Sequence, residues 1–379
     1  MPTYSFDFPY ANFIFTAISA IWLLQVLVPV IVVLFTLVSI VIEIYLRSLS
    51  NPQGKATEQK IRRESARFDD FDVIKSIPPH KDAVYLTPEF WEEMQFFTKH
   101  GSAEKIELPN GDLVVNARNF DGDHISAKDG MRTTTDAPDN PHGRVLLLGG
   151  STVYCFEVPD SLTIASYLQR FLNLSDLTLQ VLNLGVSGVT AINRIEKLKS
   201  LETLEQNDIV IILFGDNDVG WQHYYLHEPL LSKVIRRLRK YSRLLAWIYF
   251  ELSTQRRIKA GITAAHETAA KLNQLSLHLN SINVRHNFVI QPNIYTKKSL
   301  TKYESEIVNR FGVDFSQIIK SAFGFYDQLR NPPFVSATHL MDHTDDSVYL
   351  DWSHTNATGN ELLANFISQL ELFKNDRTS

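Results

Sequence analysis

The sequence predicts an α/β fold built on a doubly wound, mostly parallel sheet of five strands with helices on both faces. Four segments are predicted as strands because they are apolar at nearly every position, as in parallel sheets covered on both sides. Segments with helical spacing lie between them. Three of the four strands end in a polar loop containing glycine, and doubly wound sheets bind their ligands at the carboxyl ends of strands. The four segments are 145–148, 179–184, 208–214 and 286–290.

A long apolar segment opens the sequence. Residues 8–42 carry no charged side chain, and this run exceeds the roughly 20 residues that span a bilayer as a helix. We therefore expect residues 1–46 to form an N-terminal transmembrane helix, which would make the protein a single-pass membrane protein. A cleaved signal peptide is the alternative, but the length of the run and the absence of Lys and Arg before it argue against that.

Basic residues follow the apolar run and none precedes it. The positive-inside rule then favours a cytoplasmic location for the rest of the chain. One rule applied to one helix leaves the side of the membrane open. The basic residues are Arg47, Lys55, Lys60, Arg62 and Arg63.

The remainder divides into two regions by pattern. Residues 47–126 are expected to form a linker and a small accessory region, in which Asn110-Gly111 between short apolar runs predicts a β-hairpin turn. Residues 127–379 are expected to form the main domain. The long stretch between the third and fourth strands predicts a helical insertion at about 219–284.

Composition excludes some classes of protein. With 44% apolar and 21% charged residues, the chain of 379 residues has the balance of a folded protein. Its net charge of −5 and the absence of a long basic block argue against a nucleic-acid partner. The single cysteine, Cys155, allows no intramolecular disulfide and is expected to be a small buried apolar residue.

The first strand ends in Gly149-Gly150-Ser151-Thr152, where glycines allow a sharp turn that exposes a serine. Alone, this is also the sequence of an ordinary strand-to-helix turn. It is not an α/β-hydrolase elbow, because Val153 replaces the second glycine of that motif. It lacks the Gly-Lys-Ser/Thr of a P-loop.

Two further loops follow the next two strands, at 183–188 and 215–218. The backbone N–H of Gly188 and the side-chain amide of Asn217 are of the types that stabilise an oxyanion. Taken singly, the two loops are equally well explained as a glycine turn and a helix cap.

Asp351 and His354 lie three residues apart, just before the last predicted helix. An ester hydrolase needs a base that takes the serine proton and a carboxylate that orients this base. One short loop could present both. The alternative for His354 is a helix-capping or surface histidine.

In this order the four loops resemble the SGNH (GDSL-like) hydrolase family, in its membrane-anchored bacterial form. The resemblance extends from about residue 127 to the end of the chain, and includes the segments 128–132 and 288–293. Gly150 departs from the aspartate that usually precedes the family's serine. The residues that match the family motifs are Ser151, Gly188, Asn217, Asp351 and His354.

The resemblance implies an SGNH/flavodoxin-like fold and a serine esterase or deacylase. Ser151 would be the nucleophile, His354 the base and Asp351 its partner. The N–H groups of Ser151 and Gly188 and the amide of Asn217 would form the oxyanion hole. It implies no metal ion or cofactor. The expected substrate is an acyl ester, such as the O-acetyl groups of a glycan or a lipid-like ester. An O-acyltransferase and a catalytically silent membrane scaffold are the alternatives.

Two weaker patterns remain. The pairs His223/His227 and His339/His343 have a spacing that could hold a metal ion, but solvated or substrate-lining roles are favoured. Residues 233–243 carry six basic side chains with apolar residues between them at helical spacing. This pattern favours a surface helix, and contact with anionic lipid is the alternative.

Overall fold

The computed structural model describes residues 27–42, 44–45, 71–80, 83–107, 113–201, 204–219, 229–238, 241–329 and 331–374. The chain forms two compact units. One comprises Met1–Ile61 and Pro229–Leu252, and the other comprises Arg62–Glu228 and Ser253–Ser379.

The strands of the second unit belong to two sheets. The described strands are β1 (Ala103–Glu107), β2 (Leu113–Ala117), β3 (Phe120–Asp121), β4 (Ser126–Lys128), β5 (Met131–Arg132), β6 (Gly143–Gly149), β7 (Leu179–Gly185), β8 (Ile209–Phe214), β9 (Arg285–Ile290) and β10 (Phe334–Ser336). Of these, β1 and β2 form an antiparallel pair, and the others form one eight-stranded sheet in the order β10-β9-β8-β6-β7-β5-β4-β3.

The predicted α/β fold with a mostly parallel sheet is confirmed, but the predicted number of five strands is wrong. The five strands from β10 to β7 are parallel. Three short strands, β5, β4 and β3, extend the sheet antiparallel beyond β7. They have only two or three residues each, too few for an alternating pattern to appear in the sequence.

Helices lie on both faces of the sheet. After residue 70, the described helices are α1 (Phe71–Ser76), α2 (Pro88–His100), α3 (Ser151–Tyr154), α4 (Ile164–Leu174), α5 (Ala191–Lys199), α6 (Leu230–Leu238), α7 (Arg243–Ser281), α8 (Lys302–Tyr326) and α9 (Ala357–Ser368). Short 3-10 turns occur at Pro78–His80, Asp160–Leu162, Asn217–Val219, Leu340–His343 and Glu371–Phe373.

The core has two layers because successive strand residues point to opposite faces of the sheet. On one face, Leu146 and Val210 join a buried cluster with residues of α5, α7 and α8. On the other, Val145 and Ile209 cluster with residues of α4 and α9. Each of these fully buried side chains stabilises the fold by roughly 1.5–3 kcal/mol. Continuous apolar strands are therefore what this sheet requires.

The region before β6 packs against the main sheet through a third cluster. Helix α2 starts at the cap Thr87, whose side chain accepts a hydrogen bond from Phe90 N. Phe97 of this helix meets Tyr154 edge-on, with ring centroids 5.8 Å apart. Val186 and Val189, in the loop after β7, belong to the same cluster. Residues 108–112, which contain the predicted hairpin turn, lie outside the described residues, and the strands on either side of them, β1 and β2, pair antiparallel.

The predicted anchor, residues 1–46, is described only in part. Residues 27–42 and 44–45 are helical, while residues 1–26, 43 and 46 lie outside the described residues. Within the part of the chain that the structure describes, no helix combines the length and apolarity needed to cross a membrane. The transmembrane helix therefore stays a prediction.

Candidate active site

Ser151 lies at the junction of β6 and the short helix α3. Gly150 caps this helix in an extended conformation, so Ser151 becomes its first residue. A Cβ atom at position 150 would lie 2.6 Å from Nδ2 of Asn217. Real Cβ atoms do not approach other atoms so closely, so glycine at this position makes room for the asparagine amide beside the serine.

The structure joins Ser151, His354 and Asp351 in one hydrogen-bonded chain. His354 Nε2 lies 2.7 Å from Ser151 Oγ, and His354 Nδ1 lies 2.7 Å from Asp351 Oδ2. The other carboxylate oxygen of Asp351 accepts hydrogen bonds from the backbone N–H groups of Ser353 and His354, both at 2.8 Å. The loop thus folds around its own carboxylate, which fixes the imidazole orientation.

The loops after β7 and β8 are tied together by side chains of the second loop. Asp218 accepts hydrogen bonds from Ala191 N at 2.7 Å and from Gly215 N at 3.0 Å. Asn217 donates from Nδ2 to the carbonyl of Val189 at 2.8 Å. Gly188 is exposed and has φ +74°, a conformation that favours glycine. Both predicted oxyanion loops therefore belong to one connected structure.

The sequence profile of the GDSL-like Lipase/Acylhydrolase family matches residues 145–367, which is more than half of the chain. The chain belongs to this family. It is accordingly an enzyme that acts on ester bonds. The match begins in β6 and ends in α9, so it spans all the loops described above.

Solved structures with a similar fold include esterases. The acetylxylan esterase Axe2 from Geobacillus stearothermophilus is 16% identical, with 62% of this chain and 98% of that chain covered and a TM-score of 0.37. The acetyl xylan esterase AlAXEase is 14% identical over 59% of this chain and 97% of its own, with a TM-score of 0.33.

A third similar structure is LAE5, an alpha/beta hydrolase enzyme from the metagenome of Lake Arreo, Spain. It is 12% identical over 60% of this chain and 94% of its own, with a TM-score of 0.34. At such low identities and TM-scores, the likeness says nothing about the substrate. No curated protein sequence matches the chain.

Glu157 is a second carboxylate beside the acylhydrolase histidine, and sequence reasoning missed it. Its Oε1 lies 3.7 Å from His354 Nδ1, and the residue is 8% exposed. Burial raises the pKa of Glu157, the charge of His354 opposes that rise and Asp351 adds to it. The only signal in the sequence is one charged residue within the otherwise apolar run 153–158.

The carboxylates control the protonation of His354. Burial alone would lower its pKa, but the negative charges of Asp351, then Glu157 and then Asp216 outweigh burial and raise the pKa to about 10. Burial would raise the pKa of Asp351. The charge of His354 and the hydrogen bonds that the carboxylate accepts lower it instead.

Arg132 holds the loop that carries Glu157. Its fully buried guanidinium donates to the carbonyls of Tyr154 at 2.6 Å, Val158 at 2.7 Å and Cys155. It also pairs with Asp160, with Nε 2.9 Å from Oδ1. One side chain from β5 thus fixes the path of the chain after α3. In the sequence, Arg132 stands out only as part of the family-like segment 128–132.

Asp216 is a third buried carboxyl group near the histidine. It accepts hydrogen bonds from Asn293 Nδ2 at 2.6 Å and from Gln291 Nε2. Burial raises the pKa of Asp216 to about 8, although the bonds from both amides oppose the rise. Gln291 in turn accepts a hydrogen bond from Thr152 Oγ1 at 3.2 Å, which links this carboxyl group to the residue after Ser151.

The pair His339/His343 belongs to no metal centre within the described residues. His223 and His227 lie outside them. His339 Nδ1 lies 3.2 Å from a carboxylate oxygen of Asp342, in an ion-pair arrangement. No group of three or more metal-ligating side chains occurs among the residues that the structure describes.

Proposed function

We propose that this acylhydrolase is a serine esterase or deacylase that uses Ser151, His354 and Asp351 as a catalytic triad. The observation that carries the proposal is the pair of 2.7 Å contacts that join the three side chains in series. The proposed substrate class is an acyl ester, such as the O-acetyl group of a glycan or a lipid-like ester.

The geometry supports the following first half-reaction. The neutral imidazole of His354 keeps its proton on Nδ1, towards Asp351, and accepts the hydroxyl proton of Ser151 at Nε2. The serine oxygen bonds to the acyl carbon, and the carbonyl oxygen becomes an oxyanion. When this intermediate collapses, the C–O bond of the ester breaks. The alcohol then leaves with the proton from Nε2, and the acyl group stays on Ser151.

Water completes the reaction by the same route in reverse. His354 takes a proton from water, the resulting hydroxide bonds to the acyl carbon, and Ser151 leaves with the proton returned by Nε2. The acid product and the original serine result. If another hydroxyl group replaces water, the product is a new ester and the enzyme is an acyltransferase.

The oxyanion is proposed to be held by the backbone N–H groups of Ser151 and Gly188 and by the side-chain amide of Asn217. An amide carries two N–H hydrogens, and Asn217 uses its Nδ2 group on the Val189 carbonyl. That bond orients the group and leaves the second hydrogen for a substrate oxygen. Preorganised donors of this kind act without reorganisation during the reaction.

Covalent labelling tests the nucleophile. We expect a fluorophosphonate probe to label the folded chain once and to fail on Ser151→Ala. The matched control is Ser161→Ala, which removes an exposed hydroxyl outside the triad. Mass spectrometry of the labelled peptide identifies the serine. A folded wild-type chain that takes no label would reject the esterase and favour a catalytically silent scaffold.

Product analysis separates the esterase from the acyltransferase. With a soluble acetyl ester, an esterase releases acetate at the same rate whether or not sugar hydroxyls are added. An acyltransferase instead transfers the acetyl group to the sugar. Chromatography of the products with isotopically labelled acetyl donor distinguishes the two reactions.

Residues 1–46 are proposed to anchor the enzyme in a membrane as a single-pass helix. The support is the absence of charge over residues 8–42 and the exposure of apolar side chains in the described helix there, including Phe35 at 73%. Exposed apolar surface of this extent is typical of lipid contact.

A further inference from the structure

Helix α6 places large apolar side chains in solvent. Leu230 is 81% exposed, Leu231 is 69% exposed and Val234 is 51% exposed. Leu238 is 44% exposed. Scattered apolar residues are normal on protein surfaces, but four on nine consecutive residues form a continuous patch. Something other than water is therefore expected to cover this patch.

The four residues share one face of the helix. Positions i, i+1, i+4 and i+8 fall within one side of an α-helix, and Leu230, Leu231, Val234 and Leu238 occupy those positions. The basic residues of the helix fall outside this face by position: Lys233, Arg236 and Arg237. The helix is thus divided lengthwise into an apolar side and a cationic side.

Anionic phospholipid matches both sides at once. Acyl chains accept the leucines, while the phosphate groups of the headgroup layer above them attract the cations along the edge of the face. A second copy of the chain fits poorly, because pairing two such helices would bring Lys233 and Arg237 close to the same cations of the partner. The charge pattern therefore selects a lipid surface over self-association.

The division of the chain into compact units gives independent support. Pro229–Leu252, which contains α6, belongs to the same compact unit as Met1–Ile61. That unit includes the charge-free run 8–42, for which a membrane location is proposed above. Both exposed apolar segments thus belong to the same compact unit.

We propose that α6 lies in the surface of an anionic bilayer, with its leucine face among the acyl chains and its basic side at the headgroups. This second membrane contact goes beyond the proposed esterase function and does not depend on it.

Site-directed nitroxide labels test this proposal on the full chain. In a Cys155→Ala background, single cysteines are placed at Leu231 on the apolar face and at Arg237 on the basic side. Leu174→Cys is the matched control, since Leu174 is also a strongly exposed leucine, at the end of α4 in the other unit. The chain is added to vesicles of phosphatidylglycerol and phosphatidylcholine, or of phosphatidylcholine alone.

In the anionic vesicles, we expect the label at 231 to show a severalfold higher ratio of oxygen to nickel accessibility than the labels at 237 and 174. Added salt should reduce this difference, because it screens the basic residues from the headgroups. Val234→Cys provides a second reporter on the same face if Leu231→Cys does not fold. Circular dichroism of each variant reports whether the fold is intact.

Three results would overturn the proposal. In the first, the label at 231 stays in water although the chain is bound to the vesicles, which would leave the N-terminal anchor as the only contact. In the second, the label at 231 is shielded equally in neutral and anionic vesicles, and added salt does not change its accessibility. In the third, shielding appears without vesicles and increases with protein concentration, as for a second copy of the chain.

Discussion

His354 faces three carboxyl groups rather than the single one of the predicted triad. Asp351 contacts its Nδ1 directly, and Glu157 lies 3.7 Å from the same nitrogen. Asp216, whose own pKa is raised to about 8, adds its charge from further away once it has lost its proton. Because the pKa of His354 is raised to about 10, the imidazole binds a proton in the free enzyme at neutral pH. The base form is then the minor form, and kcat/KM should increase with pH through the neutral range.

Replacing Glu157 by Gln should move the acidic limb of the pH profile of kcat/KM to lower pH. The removed charge stabilises the imidazolium, so its loss lowers the pKa of His354, by about one unit or more. The base form is then available at lower pH. The profile is measured with a soluble acetyl ester. Glu371→Gln, an exposed carboxylate with an 85% exposed side chain, is the control and should leave the limb unchanged. An unchanged limb in Glu157→Gln would show that Glu157 does not act on the base.

Asn217→Ala should lower kcat by roughly a hundred- to a thousandfold, because one oxyanion donor is lost. The substitution also removes the hydrogen bond to the Val189 carbonyl, so stability must be measured as well. Asn173→Ala removes a comparable amide-to-carbonyl bond of 2.8 Å, to Asp136, outside the site. If both variants lose equal stability and equal activity, Asn217 has only a structural role.

Among individual residues, the sequence predicts those that lie close together in the chain or directly follow a strand. Asp351 and His354 lie within one loop, and Ser151 follows a strongly apolar strand, so their meeting at one sheet edge could be predicted. Glu157 could not be found in this way. Its approach to His354 depends on the path of the loop after α3, which a distant arginine determines.

That arginine shows how one element controls another. Arg132 extends from β5, the short antiparallel strand that pairs with β7 through Arg132 and Asn183. It binds three carbonyl groups of the segment 154–158 and pairs with Asp160. The antiparallel extension of the sheet therefore positions the loop that carries Glu157.

Arg132→Met should destabilise the fold by roughly 3–5 kcal/mol, because it leaves buried carbonyls and a carboxylate without their partner. In urea denaturation we expect a lower midpoint. The remaining folded enzyme should show the same shift of its pH profile as Glu157→Gln, since Glu157 loses its position. Arg170→Met breaks a partly exposed ion pair of 3.3 Å and should cost about 1 kcal/mol or less. Equal destabilisation by the two variants would contradict this view of Arg132.

Element length explains which strands of the fold could be predicted. The four long apolar strands were found because their pattern is unambiguous, whereas β3, β4 and β5 are too short to produce one. Helix α8 went unnoticed although it has 25 residues and a capping box of Thr301 and Glu304. The next strand, β10, has only three residues, so no clear strand pattern in the sequence marks the end of this helix.

The predicted membrane topology of the whole molecule has a direct test. The basic residues after the apolar run predict that the catalytic unit faces the cytoplasm. Protease added to intact cells should then leave the unit undigested, and protease added to inverted membrane vesicles should degrade it. As a control, detergent is added to the cells and to the inverted vesicles, and protease should then digest the catalytic unit in both preparations. Digestion in intact cells would place the unit on the opposite side and would exclude cytoplasmic substrates.

Ser151 and His354 are 203 positions apart in the chain, yet their side chains share a hydrogen bond. Contacts between such distant segments form slowly, since loop closure must precede them. During refolding from denaturant, circular dichroism should therefore recover before esterase activity does. Enzyme turnover would then report the last step of assembly, when the C-terminal loop reaches the serine.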